Sequence, residues 1–177
     1  MGANISGAGR LEDHRFLTGE GRFTADLRRD GEAYGFVLRS PYAHAEILSI
    51  SVDEAASMPG VLAVITAADL TASGLGDLQN TSQIPSDPPT VHPPRPVLAR
   101  GKVRHVREAV AVVRAGSQAA AQDASEAILV DYKDLPTLID PAAALAAGAP
   151  QIAEEAPGNL ICVFRTGEQA KADAAIA

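Results

Sequence analysis

The chain has 177 residues, 46% of them hydrophobic and 21% charged, enough to build one core without a disulfide or metal staple. Fifteen Lys and Arg against 22 Asp and Glu give a net charge of −7, the wrong sign for a protein that binds nucleic acid by neutralising phosphates. The single cysteine, Cys162, excludes an internal disulfide framework and a cysteine-rich zinc or iron–sulfur site within the chain. Apolar runs fall far short of the ~20 residues of a membrane-spanning helix, and the N-terminal residues lack the basic start and apolar stretch of a secretory signal. Gly2 followed by Ser6 fits a myristoylation pattern that is common by chance. The reading is a soluble, cytoplasmic α/β domain.

The first twenty residues are Gly-rich and polar and read as an arm. Apolar alternation predicts strands over Arg22–Asp26 and Ala33–Arg39, separated by the turn-like segment Arg28–Gly31 and closed by Ser40-Pro41. A third strand is expected over Glu46–Ser51, then a short helix from Asp53 to Met58, capped by Ser51 or Asp53 and stopped by Pro59-Gly60. Val61–Ile65 reads as a buried strand, and Thr66 and Asp69 have capping-box spacing for a helical turn. Between Thr71 and Pro96 the pattern disappears, and six of the twelve prolines lie from Pro85 to Pro96, so a long surface loop is expected.

Order returns at Lys102. Ala109–Val113 suits a central strand, Ser117 caps an alanine-rich helix through Ala127, and Ile128–Tyr132 is the next strand. That strand–helix–strand order predicts a right-handed crossover between parallel strands. Asp140-Pro141 fits the N-cap and first position of a helix ended by Gly148, with a strand over Leu160–Phe164 and a helical end from Glu168.

Catalytic chemistry is hard to place. His14, His44, His92 and His105 make no pair with metal-ligand spacing, no nucleophile elbow is present, and Cys162 sits in an apolar stretch as a small hydrophobe would. The glycine clusters at 7–9, 19–21 and 74–76 lack dinucleotide or P-loop spacing and read as turns. The basic segment Arg100–Arg107 reads as a solvated strand edge, given Glu108 and the absence of stacking aromatics. Arg39-Ser40-Pro41-Tyr42-Ala43-His44 places a cation and a titratable ring around a proline turn. They either meet an anion or a partner's carboxylate, or satisfy nearby carbonyls.

The order of segments carries a resemblance. Arg10–Asp13 with Phe16–Phe23 and Asp26, Val37–Ile47, Met58–Leu70, Leu98–Val113 and Val130–Pro136 resemble, in register, the opening of molybdenum hydroxylase large subunits. This is the xanthine dehydrogenase, aldehyde oxidase and carbon monoxide dehydrogenase family, and the carbon monoxide dehydrogenase-like branch is most similar. The resemblance implies an α/β-hammerhead (α+β), a mixed sheet with a few short helices. It also implies an arm over 1–20, the hammerhead domain over 21–150 with its Pro-rich loop at 71–97, and over 151–177 a linker into a molybdenum-binding domain. Two departures stand out. The family's Gly-Glu-Pro-Val-Ala is here Arg107-Glu108-Ala109-Val110-Ala111, and the Pro-rich loop matches no family pattern.

In that family the molybdopterin cytosine dinucleotide and the catalytic glutamate belong to later domains, and electrons pass to iron–sulfur clusters and FAD. The implied role is therefore a non-catalytic domain or split subunit with no cofactor, metal or catalytic residue of its own. Its expected partners are a molybdenum-binding domain, an iron–sulfur subunit and an FAD subunit. Arg39, His44, Arg104 and Glu108 are the candidate interface residues, being polar and next to predicted strand ends. The competing reading is a free-standing binding module without an enzymatic partner.

Overall fold

A computed structural model describes residue 10, residues 12–81 and residues 84–176. The myristoylation pattern lies outside the described residues. The chain divides into two compact units, Met1–Glu32 and Ala33–Ala177.

In the first unit the arm contains a short helix, α1 (Asp13–Leu17), started by the Arg10 N–H donating to the Asp13 carboxylate at 2.9 Å. The strand expected over Arg22–Asp26 is instead a 3₁₀ turn at Thr24–Asp26. Asp26 decides this locally: its carboxylate accepts the Phe23 N–H at 2.9 Å, closing a turn where a strand would need a partner. The Phe23 ring stacks on Phe16 with centroids 5.4 Å apart. Gly21 permits the stack, since a Cβ there would meet Phe16 Cδ1 at 2.2 Å.

The second unit is built on two three-stranded sheets. One has the order β1 (Tyr34–Arg39), β5 (Ala109–Ala115), β3 (Val61–Thr66). The other has the order β4 (Lys102–Val103), β2 (Ala45–Ser51), β6 (Leu129–Asp134). Every pairing in both sheets is antiparallel. The parallel crossover expected from β5 through the following helix to β6 is therefore wrong. β5 is already flanked by β1 and β3, so no edge remains beside it, and the chain delivers β6 to the edge of the second sheet against β2.

Helix α4 (Gln118–Glu126) covers the first sheet. Ser117 caps it by accepting the Ala120 N–H at 3.2 Å, and its buried residues Ala121, Ala124 and Ser125 recur at helical spacing. They meet Ala111, Val113 and Ala115 of β5, all fully buried, with Ile128 and Ala55 completing the cluster. Ala55 comes from α2 (Asp53–Ser57), whose N-cap is Val52 and makes no side-chain cap; neither Ser51 nor Asp53 plays that part. The smaller core of the second sheet gathers Ala45, Ala99, Val103 and Val110. β3, expected to be buried, is a half-buried outer strand with Leu62 exposed.

Helix α3 (Ala67–Ala72) opens with the expected capping box. Asp69 accepts from the Thr66 hydroxyl and backbone N–H, both at 2.7 Å, and these bonds hold its carboxyl below the usual carboxylate range. A folded-state value below the unfolded one stabilises the fold above the unfolded pKa, and this contribution is lost as pH falls through the folded value. Asp69→Asn should therefore lower the melting temperature at neutral pH, and its deficit against the native chain should close on acidification. A deficit that persists unchanged in acid would show that the carboxylate charge is not the source.

From residue 73 to 101 the described chain has neither helix nor strand, as expected, yet it is pinned. Leu78 N–H donates to Arg95 O at 2.9 Å, and Arg100 forms an ion pair with Asp77 at 2.6 Å. Beyond β6 come α5 (Pro141–Ala144), capped by Asp140, a 3₁₀ turn at Pro157–Asn159, and α6 (Gln169–Ile176). The strand expected over Leu160–Phe164 is an extended segment instead. Its neighbour is the Pro-rich loop, whose prolines offer no N–H to a ladder. Among the described residues isolated bonds form there, Val91 N–H to Ile161 O at 2.9 Å and Val163 N–H to Ser86 Oγ at 2.8 Å.

Candidate functional site

Arg39, Arg104 and Glu108, three of the four polar residues singled out from sequence, converge where β1 leaves its sheet, and the organiser is one that sequence reading passed over. Ser40 is 1% exposed. Its N–H donates to Glu108 O at 2.9 Å, its carbonyl accepts the Arg107 N–H at 2.8 Å, and its hydroxyl accepts the Tyr42 N–H at 3.0 Å. The Ser-Pro turn was legible as a strand stop, but its long-range partners were not, because they lie more than sixty residues away.

Arg39 Nη1 donates to Arg107 O at 3.0 Å, and Glu108 Oε2 accepts the Arg104 backbone N–H at 2.5 Å. Arg39, Arg104 and Glu108 thus sit around one turn, 104–108, closed by the Glu108 N–H donating to His105 O. Arg107 occupies the left-handed region there, with φ 68°, where glycine is favoured.

His44 stands apart from them. It is 5% exposed and its Nδ1 lies 2.8 Å from Pro136 O, so that nitrogen carries the proton. Its backbone carbonyl accepts the Leu135 N–H at 3.0 Å. The ring therefore fixes the exit of β6, and its Nε2 is buried without a hydrogen-bond partner. Arg39 and His44 do satisfy carbonyls, but across the fold and not within their own turn.

Beside them the Tyr42 and Tyr132 rings approach to 4.8 Å. Burial raises the Tyr132 hydroxyl above the usual tyrosine range, a hydrogen bond with Ser40 draws it back, and Tyr42 pushes it up.

Among the described residues no three His, Cys, Asp or Glu side chains come together to hold a metal ion, and none of the helices is long and apolar enough to cross a membrane. Cys162 is a half-buried free thiol. An apolar groove of about 310 Å³ opens elsewhere, lined by Ile139, Pro141, Ala144, Ile152 and Ile161.

Residues 18–136 match the family described as aldehyde oxidase and xanthine dehydrogenase, a/b hammerhead domain. The chain is 38% identical over 146 residues to the carbon monoxide dehydrogenase large chain of Afipia carboxidovorans, covering 82% of this chain and 17% of that protein. It is 37% identical to the nicotine 6-hydroxylase large subunit of Paenarthrobacter nicotinovorans, covering 85% and 18%. Among solved structures, quinoline 2-oxidoreductase from Pseudomonas putida 86 superposes with a TM-score of 0.72 at 40% identity, over 81% of this chain and 18% of the other. A Cu,Mo-CO dehydrogenase superposes with a TM-score of 0.74 at 34% identity, over 96% and 22%. The chain thus spans about a fifth of the length of these relatives. It belongs to the xanthine dehydrogenase, aldehyde oxidase and carbon monoxide dehydrogenase family of molybdenum hydroxylases and corresponds to their α/β-hammerhead domain.

Proposed function

We propose that this chain is a non-catalytic part of a molybdopterin-dependent hydroxylase or dehydrogenase. It packs against molybdenum-binding domains and against iron–sulfur and FAD subunits. The carrying observation is the match of residues 18–136 to the hammerhead domain, the part this chain shares with the Afipia carboxidovorans large chain. The division into an arm over 1–20, a hammerhead over 21–150 and a junction over 151–177 belongs to the same proposal.

Exposed apolar side chains support a packing role. Ile139 is 92% exposed, Phe164 62% and Leu145 60%, all in the stretch after β6. Arg39, Arg104 and Glu108 supply a polar contact at the 104–108 turn, with His44 holding the neighbouring backbone from beneath. A tagged pull-down from the native organism, with mass identification of the co-purifying chains, tests the proposal. The expected result is a molybdenum-binding polypeptide with iron–sulfur and FAD subunits, or a bait far larger than 18.3 kDa. Recovery of the bait alone at that mass would overturn it.

A further inference from the structure

We infer that the groove beside the 104–108 turn is a docking surface for an acidic, partly apolar segment of a partner polypeptide. The inference deepens the packing role above and rests on it only in treating the chain as one part of an assembly.

The charge is unexpected on a chain of net −7. Arg95, Arg104 and His105 line a groove of about 370 Å³; Arg107 immediately precedes the lining residue Glu108, and Arg39 donates to the Arg107 carbonyl. Arg39, Arg95 and Arg107 are exposed, and among the described residues none of the four guanidiniums forms an ion pair. The one acid present, Glu108, spends its carboxylate on a backbone N–H. The remaining wall is apolar, from Leu78, Pro94, Pro96 and Val97. Guanidiniums on the rim and aliphatic carbon in the floor match carboxylates flanked by apolar side chains.

Arg107 strengthens the case. Its left-handed backbone carries strain for any residue with a Cβ, and this chain has arginine where the resembling segment has glycine. The conformation is held by Arg107 N–H to Ser40 O, Ser40 N–H to Glu108 O, and Arg39 to Arg107 O. These bonds hold the strained backbone in place, and the arginine there is exposed.

The same bonds argue against a phosphate ligand. The backbone N–H groups of Arg104, Arg107 and Glu108 are all committed within the fold, so none of these three is free to hold a phosphate oxygen.

The test titrates the 177-residue chain with a short synthetic peptide alternating Glu and Leu, with its Gln-for-Glu counterpart, and with pyrophosphate, following backbone amide shifts. The Glu peptide alone is expected to shift amides around 39, 95 and 104–108, and to weaken as salt rises. Combining Arg104→Gln with Arg107→Gly should reduce affinity about tenfold, as the loss of two guanidinium–carboxylate contacts implies. Arg107→Gly alone should weaken binding while leaving the melting temperature unchanged or higher, since glycine suits that φ, so lost binding cannot be lost folding. Equal binding of the Glu and Gln peptides, unchanged affinity in the double variant, or preference for pyrophosphate would each overturn the inference. The titration is independent of whether a molybdenum-binding chain co-purifies, so the two readings fail separately.

Discussion

Ala124→Leu is expected to destabilise the fold by about 1–3 kcal/mol, the usual cost of forcing extra methylenes into a filled core. Ala121 and Ala124 of α4 are both fully buried against Ala111, Val113 and Ala115 of β5. Alanine on both surfaces lets the helix lie close to the sheet, and a leucine at 124 has no space unless the helix lifts. The outward-facing Ala119→Leu is the control; it keeps helix propensity and should change stability by no more than about 0.5 kcal/mol. Urea unfolding of the two variants separates the cases, and equal midpoints would mean that alanine contacts do not set the helix–sheet distance. The effect bears on function because α4 packs on β1 and β5, whose ends carry Arg39 and Glu108.

Much of the local chemistry was readable in the sequence, though not the start of α2, where neither Ser51 nor Asp53 caps, nor the turn that Asp26 closes. The Ser117 and Asp140 caps, the Thr66–Asp69 box and the central position of β5 all depend on short-range patterns, and all are present. The errors of strand pairing share one cause. Apolar alternation at 22–26 and 160–164 signals extended backbone but cannot say whether another strand is available to pair with it. Asp26 turns the first segment back on itself, and the second lies beside a proline-rich loop. Likewise, strand–helix–strand spacing cannot reveal that β5 already has neighbours on both sides.

The candidate site was legible in its charges and not in its organiser. Arg39, Arg104 and Glu108 stand out as polar residues next to strand ends, and the fold brings them to one turn. Ser40 gave no comparable signal, because a buried serine with long-range backbone partners looks like any serine before a proline. The missing glycine at Arg107 was visible as a departure, but its meaning needed the observed φ.

Asn159→Ala should have the largest effect on the stretch after β6, about 2–4 kcal/mol of local stability, from two additive sources. Asn159 Oδ1 accepts the Ile152 N–H at 2.9 Å, and its Nδ2 donates to Ala144 O at 3.0 Å and Pro150 O at 2.9 Å. One side chain therefore ties the end of α5 to the segment that lines the apolar groove. Its backbone is also left-handed, with φ 58°, which asparagine tolerates better than alanine. Alanine loses the bonds and strains the backbone, whereas glycine loses the bonds alone. Asn159→Gly should consequently be the milder variant by about 1 kcal/mol. Hydrogen exchange at Ile152, or limited proteolysis across 145–160, reads this without requiring global unfolding. Equal protection in the native chain and both variants would mean that the stretch is held by something other than this amide. Loss in alanine with none in glycine would assign the effect to backbone conformation alone. If the expected order holds, the groove keeps its shape through Asn159, and the exposed Ile139 and Ile161 stay presented on an ordered surface for a partner to cover.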